Sequence, residues 1–394
     1  MSNQKLTGNE SRTNRVIMLS CNTAWNVFSR KRLLITLSGA GWDVTTMAAA
    51  DTFSDRITTE LSLPFISLPM ESDSTSIIQD FRLFLKFLSL YLKYRPAIVL
   101  HINNKPNIYG TLAANMLGIP SISNITGLGI VAEKSGIMKV LVYALYRSAF
   151  SSKNARVFFQ NNDDRKFFLD NRLVAPDKTT VIPGSGVDTE RFAPSGKDCS
   201  PPEETCFLYN GRLLVSKGIE DFIEAARKVK TVYPRSTFII LGEHDTENPI
   251  FIDNATLVQA IEQGTVVYRG TVDNVIPEVA MADCVVLPSR YREGVPRALL
   301  EAAAMGKPLI AANSVGTREP VSHEKNGYLV PPADIDALKD AMIRFIELLP
   351  EEKKRFGAES RRIAVEHFAD SVVIGRYTST IEALTGRSTE KDDA

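Results

Sequence analysis

The sequence has no apolar run of about 18 residues, the minimum for a membrane-spanning helix, so we expect no such helix. Its four cysteines lack the close spacing of a metal or redox site and are expected to be reduced thiols: Cys21, Cys199, Cys206 and Cys284. The four histidines show no ligand spacing either. Lys plus Arg and Asp plus Glu each number 46, so net charge gives no general attraction to nucleic acid.

The length and composition are those of a globular protein with more than one domain. At 394 residues the chain is too long for one ordinary hydrophobic core. Residues 1–14 are polar and carry no recognisable signal peptide, so we expect a disordered N-terminus and a cytoplasmic protein. Residues 386–394 form a polar tail that we also expect to be disordered.

Short apolar segments alternate with helical patterns in both halves of the chain. Val16–Leu19 begins this series in the first half, and Phe207–Asn210 begins it again in the second. The alternation predicts parallel β-α-β units, and therefore an α/β fold with two doubly wound, Rossmann-like domains facing a cleft. Residues 194–205 interrupt the pattern with proline, serine and charged residues, and we interpret them as the interdomain linker.

Two carboxylates stand eight residues apart in Glu293-Gly-Val-Pro-Arg-Ala-Leu-Leu-Glu301. Cys284–Leu287 predicts a short buried strand before them, and Pro296 suits the first turn of a helix after it. Glu293 should then lie in a strand-to-helix loop, and Glu301 inside the helix. Ligands of open α/β sheets bind at such strand ends, where the free amides of residues 294 to 297 would favour negative charge or sugar hydroxyls.

A second polar cluster opens the second half, in Tyr209-Asn-Gly-Arg-Leu-Leu-Val-Ser-Lys-Gly218. It too follows a predicted strand and precedes a helix, so Arg212 and Lys217 should lie at the same edge as Glu293. Two cations there are well placed to neutralise a diphosphate. Taken alone, the cluster is equally well explained as a solvated loop with two surface charges.

Together these segments resemble the retaining GT-B glycosyltransferases with a Glu-x7-Glu motif, the family 4 type. The resemblance rests on the order and spacing of Gly211-Arg212, Lys217-Gly218, the Glu293–Glu301 segment and Ile182–Phe192. Residues 104–110 and 124–129 resemble the branch that acts on polyprenyl-diphosphate-linked sugars in bacterial capsule, O-antigen or N-glycan precursor synthesis. The similarity covers nearly the whole chain.

The resemblance implies an acceptor site in residues 15–193 and a nucleotide-sugar donor site in residues 206–370. It also implies that a helix at residues 371–385 crosses back to the first domain. Arg212 and Lys217 would hold the donor diphosphate. Glu301 would bind the ribose and Glu293 the donor sugar. The other donor-binding positions that it implies are Gly211, Gly294, Val295, Pro296 and Leu300.

Acceptor contacts are expected from the first domain, at Asn26, His101, Lys105, Thr126 and Gly127. His101 ends a predicted strand and should face the cleft. Lys105 would bind an acceptor phosphate, or else be a solvated loop lysine. Many relatives carry histidine where Thr126 stands, so a histidine-dependent role cannot be carried over to this chain.

The implied activity is transfer of a sugar, expected to be an N-acetylhexosamine, from a UDP-sugar to a polyprenyl-diphosphate-linked saccharide, with retention. Cations and a helix N-terminus would stabilise the charge that develops on the departing diphosphate. A donor phosphate oxygen would take the acceptor proton, so the two glutamates need not form a hydrolase pair. The alternatives are a GT-B nucleotide-sugar epimerase, a transferase with a soluble acceptor, and a non-catalytic sugar-nucleotide binding protein.

Two helical segments, Phe81–Arg95 and Ile137–Arg147, mix aromatic, aliphatic and basic residues. Such segments either cover a sheet or lie in a membrane interface, where their cations meet anionic lipid. Our hypothesis is that one of them docks the enzyme peripherally on the inner membrane, beside a lipid-linked acceptor.

Asp334-Ile-Asp336 has the form of a metal motif found in a different glycosyltransferase fold. It follows two prolines and opens a predicted helix, where an aspartate side chain caps free amides. We therefore predict a helix cap at this position, and neither a metal nor another cofactor for the enzyme.

Overall fold

The computed structural model describes residues 15–70, 76–128, 136–194, 196, 201 and 204–388. The expected disorder of residues 1–14 and 389–394 lies outside this part of the chain, as do Cys199 and most of the predicted linker. Cys21 and Cys284 are free and buried, and Cys206 is buried. No helix of the described residues is long and apolar enough to cross a membrane.

Seven parallel strands form the first sheet, in the order β3-β2-β1-β4-β5-β6-β7. They are β1 (Val16–Thr23), β2 (Asp43–Ala49), β3 (Phe65–Ser67), β4 (Ile98–Ile102), β5 (Ser121–Ile125), β6 (Ala155–Phe159) and β7 (Thr179–Val181). The described helices between them are α1 (Ala24–Phe28), α2 (Lys31–Gly39), α3 (Ser54–Glu60), α4 (Ile77–Tyr94), α5 (Thr111–Met116), α6 (Gly136–Ala149) and α7 (Asn162–Asp170).

Six parallel strands form the second sheet, in the order β10-β9-β8-β11-β12-β13. They are β8 (Cys206–Asn210), β9 (Thr237–Leu241), β10 (Val267–Tyr268), β11 (Cys284–Leu287), β12 (Leu309–Ala312) and β13 (Gly327–Val330). The helices of this part are α8 (Ile219–Lys230), α9 (Asn254–Glu262), α10 (Ile276–Met281), α11 (Arg297–Ala304), α12 (Ile335–Glu347), α13 (Pro350–His367) and α14 (Asp370–Thr385). The predicted α/β fold with two parallel, doubly wound sheets is confirmed.

The strand order reverses at the centre of each sheet, between β1 and β4 and between β8 and β11. At such a reversal the loops that leave the two neighbouring strands diverge to opposite faces, which opens a crevice at the carboxyl ends. The loops at 211–218 and 288–296 border the crevice of the second sheet. The fold therefore brings the two motifs of the sequence to one place.

The last helix, α14, packs on the first sheet although the helices before it belong to the second. Its apolar side chains Val373, Tyr377 and Ile381 lie in the core beside β1 and β4. The Tyr377 ring meets Phe158 edge-on, with 4.9 Å between centroids. This helix therefore ties the C-terminal end of the chain to the first sheet, while the exact domain boundaries stay a prediction.

Helices cover the two faces of the first sheet differently. Helix α4 packs against Met18, Met47 and Val99 on one face. Helices α2 and α14 pack on the opposite face. Elements near α4 and elements near α14 are therefore separated by the sheet.

Two helices expected from the sequence are interrupted in the structure. The pattern at Trp25–Ser38 predicts one helix, but the structure has a break at Ser29 and Arg30. Both side chains there donate to the carbonyl of Asn26, at 2.8 and 2.6 Å, and this side-chain bonding competes with the regular helical ladder. The pattern at Asn107–Leu117 likewise predicts one helix, but the structure has a π-helical turn at Pro106–Gly110 before the α-helix begins.

Candidate functional site

The first loop of the site, residues 211–218, leaves β8 at the carboxyl edge of the second sheet. The amide of Gly211 donates to the carbonyl of Leu241 at 3.0 Å, which holds the start of the loop against β9. Gly218 has φ of +73°, and a Cβ there would overlap the carbonyl of Pro288. Only glycine lets the two loops approach this closely. The side chain of Arg212 is exposed, in the same loop as Lys217.

Lys217 and Glu293 form the central ion pair, with 3.0 Å between Nζ and Oε2. Both side chains are mostly buried, at 19% and 14% exposure. The Ser289 hydroxyl donates to the other carboxylate oxygen of Glu293 at 2.7 Å. The carboxylate is thus fixed on both oxygens, and a cation stands beside it at the strand ends.

Glu301 lies inside α11, as predicted, and is held by a residue one turn earlier. Arg297 Nη2 donates to Glu301 Oε1 at 3.0 Å. The other nitrogen of Arg297, Nη1, donates to the carbonyl of Ser29 at 2.7 Å, so this arginine joins the second sheet to the first. Leu300, expected among the donor contacts, is fully buried.

The expectation that the amides of residues 294 to 297 are free is wrong for the first two. The amide of Gly294 donates to the carbonyl of Thr126 at 3.0 Å, and that of Val295 donates to Gln160 Oε1 at 3.0 Å. Pro296 has no N–H to offer. The acceptors come from the first sheet, a long-range contact that local sequence does not reveal.

Two glycines make this contact between the sheets possible. Gly127 has φ of +122°, and a Cβ on it would lie 2.8 Å from the amide nitrogen of Gly294. On the other side of that loop, a Cβ on Gly316 would overlap the carbonyl oxygens of Glu293 and Gly294. The Glu293–Gly294 backbone is therefore enclosed between two glycines, one from each sheet.

Two ion pairs cross the cleft beside this contact, at residues that none of the sequence motifs marks. Arg318 contacts Asp163 at 2.6 Å, and Arg292 contacts the fully buried Asp164 at 3.2 Å. Burial raises the pKa of Asp164, while its bonds from Asn161 and Arg292 act in the opposite direction. The two aspartates follow β6 at its carboxyl end, so the rule that located Glu293 could also have located them.

The acceptor positions proposed in the first domain do not all reach the cleft. Thr126 does, because its carbonyl accepts from Gly294, and its hydroxyl accepts a 3.0 Å bond from Asn103. Asn26 is half-buried in α1 and bonds to Thr23. Lys105 is neither free nor solvated, since it pairs with Asp80 at 2.9 Å.

The expectation that His101 faces the cleft is wrong. Its side chain is fully buried within β4, where Nδ1 lies 2.7 Å from the Ser20 hydroxyl and Nε2 lies 3.5 Å from the Tyr91 hydroxyl. Burial lowers the pKa of His101 to about 3. The sequence places a histidine near the strand end, but the side chain points into the core under α4.

Asp334 caps α12, as predicted, because its carboxylate accepts the Ala337 amide at 2.9 Å. Asp336 forms an ion pair with Lys228 at 2.8 Å. Within the described residues, no group of three or more acidic, histidine or cysteine side chains could hold a metal ion.

Comparison with known proteins places this site in context. Residues 204–347 match the family model described as "Glycosyl transferases group 1". The UDP-Gal:alpha-D-GlcNAc-diphosphoundecaprenol alpha-1,3-galactosyltransferase of Escherichia coli is 28% identical over 289 residues, which cover 70% of this chain and 73% of that protein. The N,N'-diacetylbacillosaminyl-diphospho-undecaprenol alpha-1,3-N-acetylgalactosaminyltransferase of Campylobacter jejuni is 27% identical over 290 residues, with the same coverage.

Solved structures share the whole architecture. A glycosyltransferase from Rickettsia africae superposes with a TM-score of 0.74 at 18% identity, covering 95% of this chain and 100% of that one. Anabaena HepE in complex with UDP and glucose superposes with a TM-score of 0.72 at 17% identity, covering 94% and 100%. These likenesses show that both sheets, and the cleft between them, belong to one known fold.

Proposed function

The chain is a glycosyltransferase of group 1 with the GT-B fold, and from that premise we propose the reaction that it catalyses. It transfers a hexose or N-acetylhexosamine from a UDP-sugar to a polyprenyl-diphosphate-linked saccharide, with retention at the anomeric carbon. The relatives from Escherichia coli and Campylobacter jejuni are named for transfer of galactose or N-acetylgalactosamine to diphospho-undecaprenol-linked sugars, which supports this choice of acceptor.

The observation that carries the proposal is the Lys217–Glu293 ion pair at the carboxyl ends of β8 and β11, with Glu301 on the helix that follows. A diphosphate that enters this crevice offers Lys217 a second anionic partner. When the Lys217 ammonium binds the diphosphate in place of Glu293, Glu293 keeps the hydrogen bond from Ser289. Its other carboxylate oxygen can then accept a hydrogen bond from a hydroxyl of the donor sugar. Glu301, which Arg297 holds in position, accepts hydrogen bonds from the ribose hydroxyls.

Charge development explains how these residues accelerate transfer. Cleavage of the bond between the anomeric carbon and the phosphate oxygen leaves the electron pair on the UDP diphosphate. Lys217 and Arg212 stabilise that growing charge, and stabilisation of this kind is often the largest contribution to catalysis. The acceptor hydroxyl attacks on the same face, and its proton goes to a phosphate oxygen of the leaving group. No protein nucleophile is required.

A membrane surface is the proposed meeting place with the acceptor. Helices α4 and α6 both pack against the helical segment at residues 106–116 and expose apolar side chains: Ile77, Ile78, Phe81, Leu85, Leu92, Ile137, Val140 and Leu141. Exposed cations stand among them, at Arg82, Lys86, Lys93, Lys139 and Arg147. An apolar surface edged with cations suits an anionic bilayer, and we propose peripheral binding to the cytoplasmic face of the inner membrane.

Acceptor-dependent UDP release tests the proposed reaction. Purified protein is given each of UDP-Gal, UDP-GalNAc, UDP-Glc and UDP-GlcNAc, with and without a GlcNAc-diphospho-polyprenol acceptor in detergent. We expect UDP release, and a labelled lipid product, only when the acceptor is present. Interconversion of the UDP-sugar without acceptor would instead identify an epimerase, and transfer to a free saccharide alone would identify a soluble acceptor.

Flotation with liposomes tests the membrane surface separately. Wild-type protein should float with vesicles that contain anionic phospholipid. Phe81→Ser together with Ile137→Ser should weaken flotation strongly. Val232→Ser is the matched control, because Val232 is 60% exposed on the second-sheet side and lies outside the proposed surface. Equal flotation of the double variant and the control would refute this docking surface.

A further inference from the structure

A small cavity lies between the two sheets, where α14 crosses to the first sheet. Its volume is about 50 Å³, and its walls are the start of α2, residues 185–192, Arg297 and α14. A space of roughly 10–15 Å³ is enough for one water molecule. The cavity therefore has room for a tetrahedral oxyanion and is too small for a nucleotide.

The walls of this cavity carry more cationic side chains than carboxylates, although one of the cations, Arg297, is also paired with Glu301 outside the wall. Five cationic side chains and two carboxylates line it: Arg30, Lys31, Arg32, Arg191, Arg297, Asp188 and Asp370. Arg32 contacts both carboxylates, at 3.5 and 3.1 Å. Within the described chain, neither Arg30 nor Lys31 has a carboxylate at ion-pair distance, although the wall carboxylate Asp188 acts favourably on the charge of Lys31 from farther away.

Arg30 is held by neutral groups only, the carbonyl of Asn26 at 2.6 Å and the hydroxyl of Ser29 at 3.1 Å. Burial lowers the pKa of Arg30, and the neighbouring Arg297 adds to this effect. Burial likewise lowers the pKa of Lys31 and Arg191 adds to this effect, while Glu60 and Asp188 act in the opposite direction. Desolvation and repulsion of this kind are relieved when an anion binds between the cations.

One buried neutral group in the wall also lacks a hydrogen-bond partner. Asn124 is 1% exposed, and its Oδ1 has no hydrogen-bond partner among the described residues. Its Nδ2 donates to the Tyr377 hydroxyl at 2.9 Å, so that hydroxyl keeps its own proton for a further acceptor. A hydrogen phosphate ion would accept from the Tyr377 hydroxyl and the cations, and its own O–H would donate to Asn124 Oδ1.

We propose that this pocket binds one free, phosphate-type oxyanion through Arg30, Lys31 and Arg297, at a site distinct from the donor diphosphate site. Lys217 and Arg212 are not among its walls. Helix α4, which carries the proposed membrane surface, lies on the opposite face of the first sheet, so a lipid diphosphate beside it would not reach the pocket. Arg30 lies on the first-sheet side of the cavity and Arg297 on the second-sheet side. The bound anion therefore links the two sheets.

Thermal unfolding in inorganic phosphate, at ionic strength matched with chloride, tests the proposal. The wild-type Tm should rise with phosphate concentration, as it does for a ligand that binds only the folded state. Arg30→Gln should bind phosphate at least about tenfold more weakly, the scale of one lost charge-assisted hydrogen bond. Lys31→Gln is a second variant, in a half-buried position, in case Arg30→Gln does not fold.

Arg376→Gln is the matched control, because Arg376 lies on the exposed side of α14 beside Tyr377 and outside the cavity wall. It removes the same charge and should respond to phosphate as the wild type does. UDP at saturation should leave phosphate binding unchanged. Displacement of phosphate by UDP, or a wild-type response in both Arg30→Gln and Lys31→Gln, would overturn the proposal. Neither result would affect the transferase proposal, which acceptor-dependent UDP release tests independently.

Discussion

At the scale of single residues, Glu293 is the point where the elements of the site meet. Lys217 holds one of its carboxylate oxygens and Ser289 the other. Its backbone carbonyl lies 3.4 Å from Asn161 Nδ2 of the first sheet. If Lys217 exchanges Glu293 for another partner, the change therefore affects the Glu293 carboxylate, which would face the donor sugar. It also affects the Glu293 loop, which contacts the first sheet.

Replacement of either cation tests the proposed donor site directly. We predict that Lys217→Ala and Arg212→Ala each lower kcat by about two orders of magnitude, the usual cost of one lost transition-state charge partner. Steady-state UDP release with acceptor measures this. Lys325→Ala, at an exposed lysine on the second-sheet side, should keep wild-type activity. Full activity in both of the first two variants would contradict the proposed mechanism.

His101 predicts a pH dependence of stability. Its pKa falls to about 3 in the folded protein, mainly because burial disfavours the charged ring. The unfolded chain binds this proton at about pH 6.5, so folded protein loses stability as pH falls from about 6.5 toward 3, by at most about 1.4 kcal/mol per pH unit. Above pH 6.5 neither state is protonated, and the effect vanishes.

Urea unfolding at pH 7.0, 6.0 and 5.0 measures this effect. Burial also raises the pKa of carboxyl groups such as Asp164 and Glu319, so the comparison is between variants. His101→Gln should be less stable than wild type at pH 7, and the difference should shrink toward pH 5. His367→Gln, at an exposed histidine, should follow the wild-type slope. Parallel slopes for wild type and His101→Gln would show that His101 does not carry the pH dependence.

At the scale of elements, the loop at 293–295 is defined by the glycines on either side of it. We predict that Gly127→Ala lowers kcat/KM at least about tenfold, because its Cβ would press on the Gly294 amide and separate the two loops. Gly118→Ala is the matched control, since Gly118 also has positive φ but has open space around it. Circular dichroism should show both variants folded. Equal kcat/KM in the two variants would show that the effect comes from the positive φ of the glycine, and that the close approach of Gly127 to Gly294 is not needed for activity.

Elements with a strong local pattern could be predicted from sequence, and those shaped by distant contacts could not. The strand at Cys284–Leu287 and the helix after Pro296 follow from apolar and capping patterns, and the structure has both. The π-helical turn at Pro106–Gly110 has no such signal. It occurs where a Cβ on Gly110 would meet the His101 ring, and residue 101 comes from the neighbouring strand.

At the scale of the whole molecule, the location of the site could be predicted but its internal partners could not. Parallel strands end at one edge of a sheet, so the sequence alone predicts that Lys217 and Glu293 lie together. Which amides are already bonded depends on how the two sheets face each other. Thr126 and Gln160 of the first-sheet side accept these amides. No local sequence pattern indicates that they lie beside residues 294 and 295.

The two ion pairs across the cleft should control how firmly the sheets hold together. Arg292→Gln combined with Arg318→Gln removes both, and leaves the buried Asp164 without its arginine. We predict a larger radius of gyration by small-angle X-ray scattering and a lower kcat, because the site needs groups from both sheets. Arg269→Gln combined with Arg344→Gln removes the same charge from two pairs within the second-sheet side and should stay compact. If both double variants give the wild-type radius, the backbone contacts at Gly294 and Val295, with α14, are sufficient to hold the cleft closed.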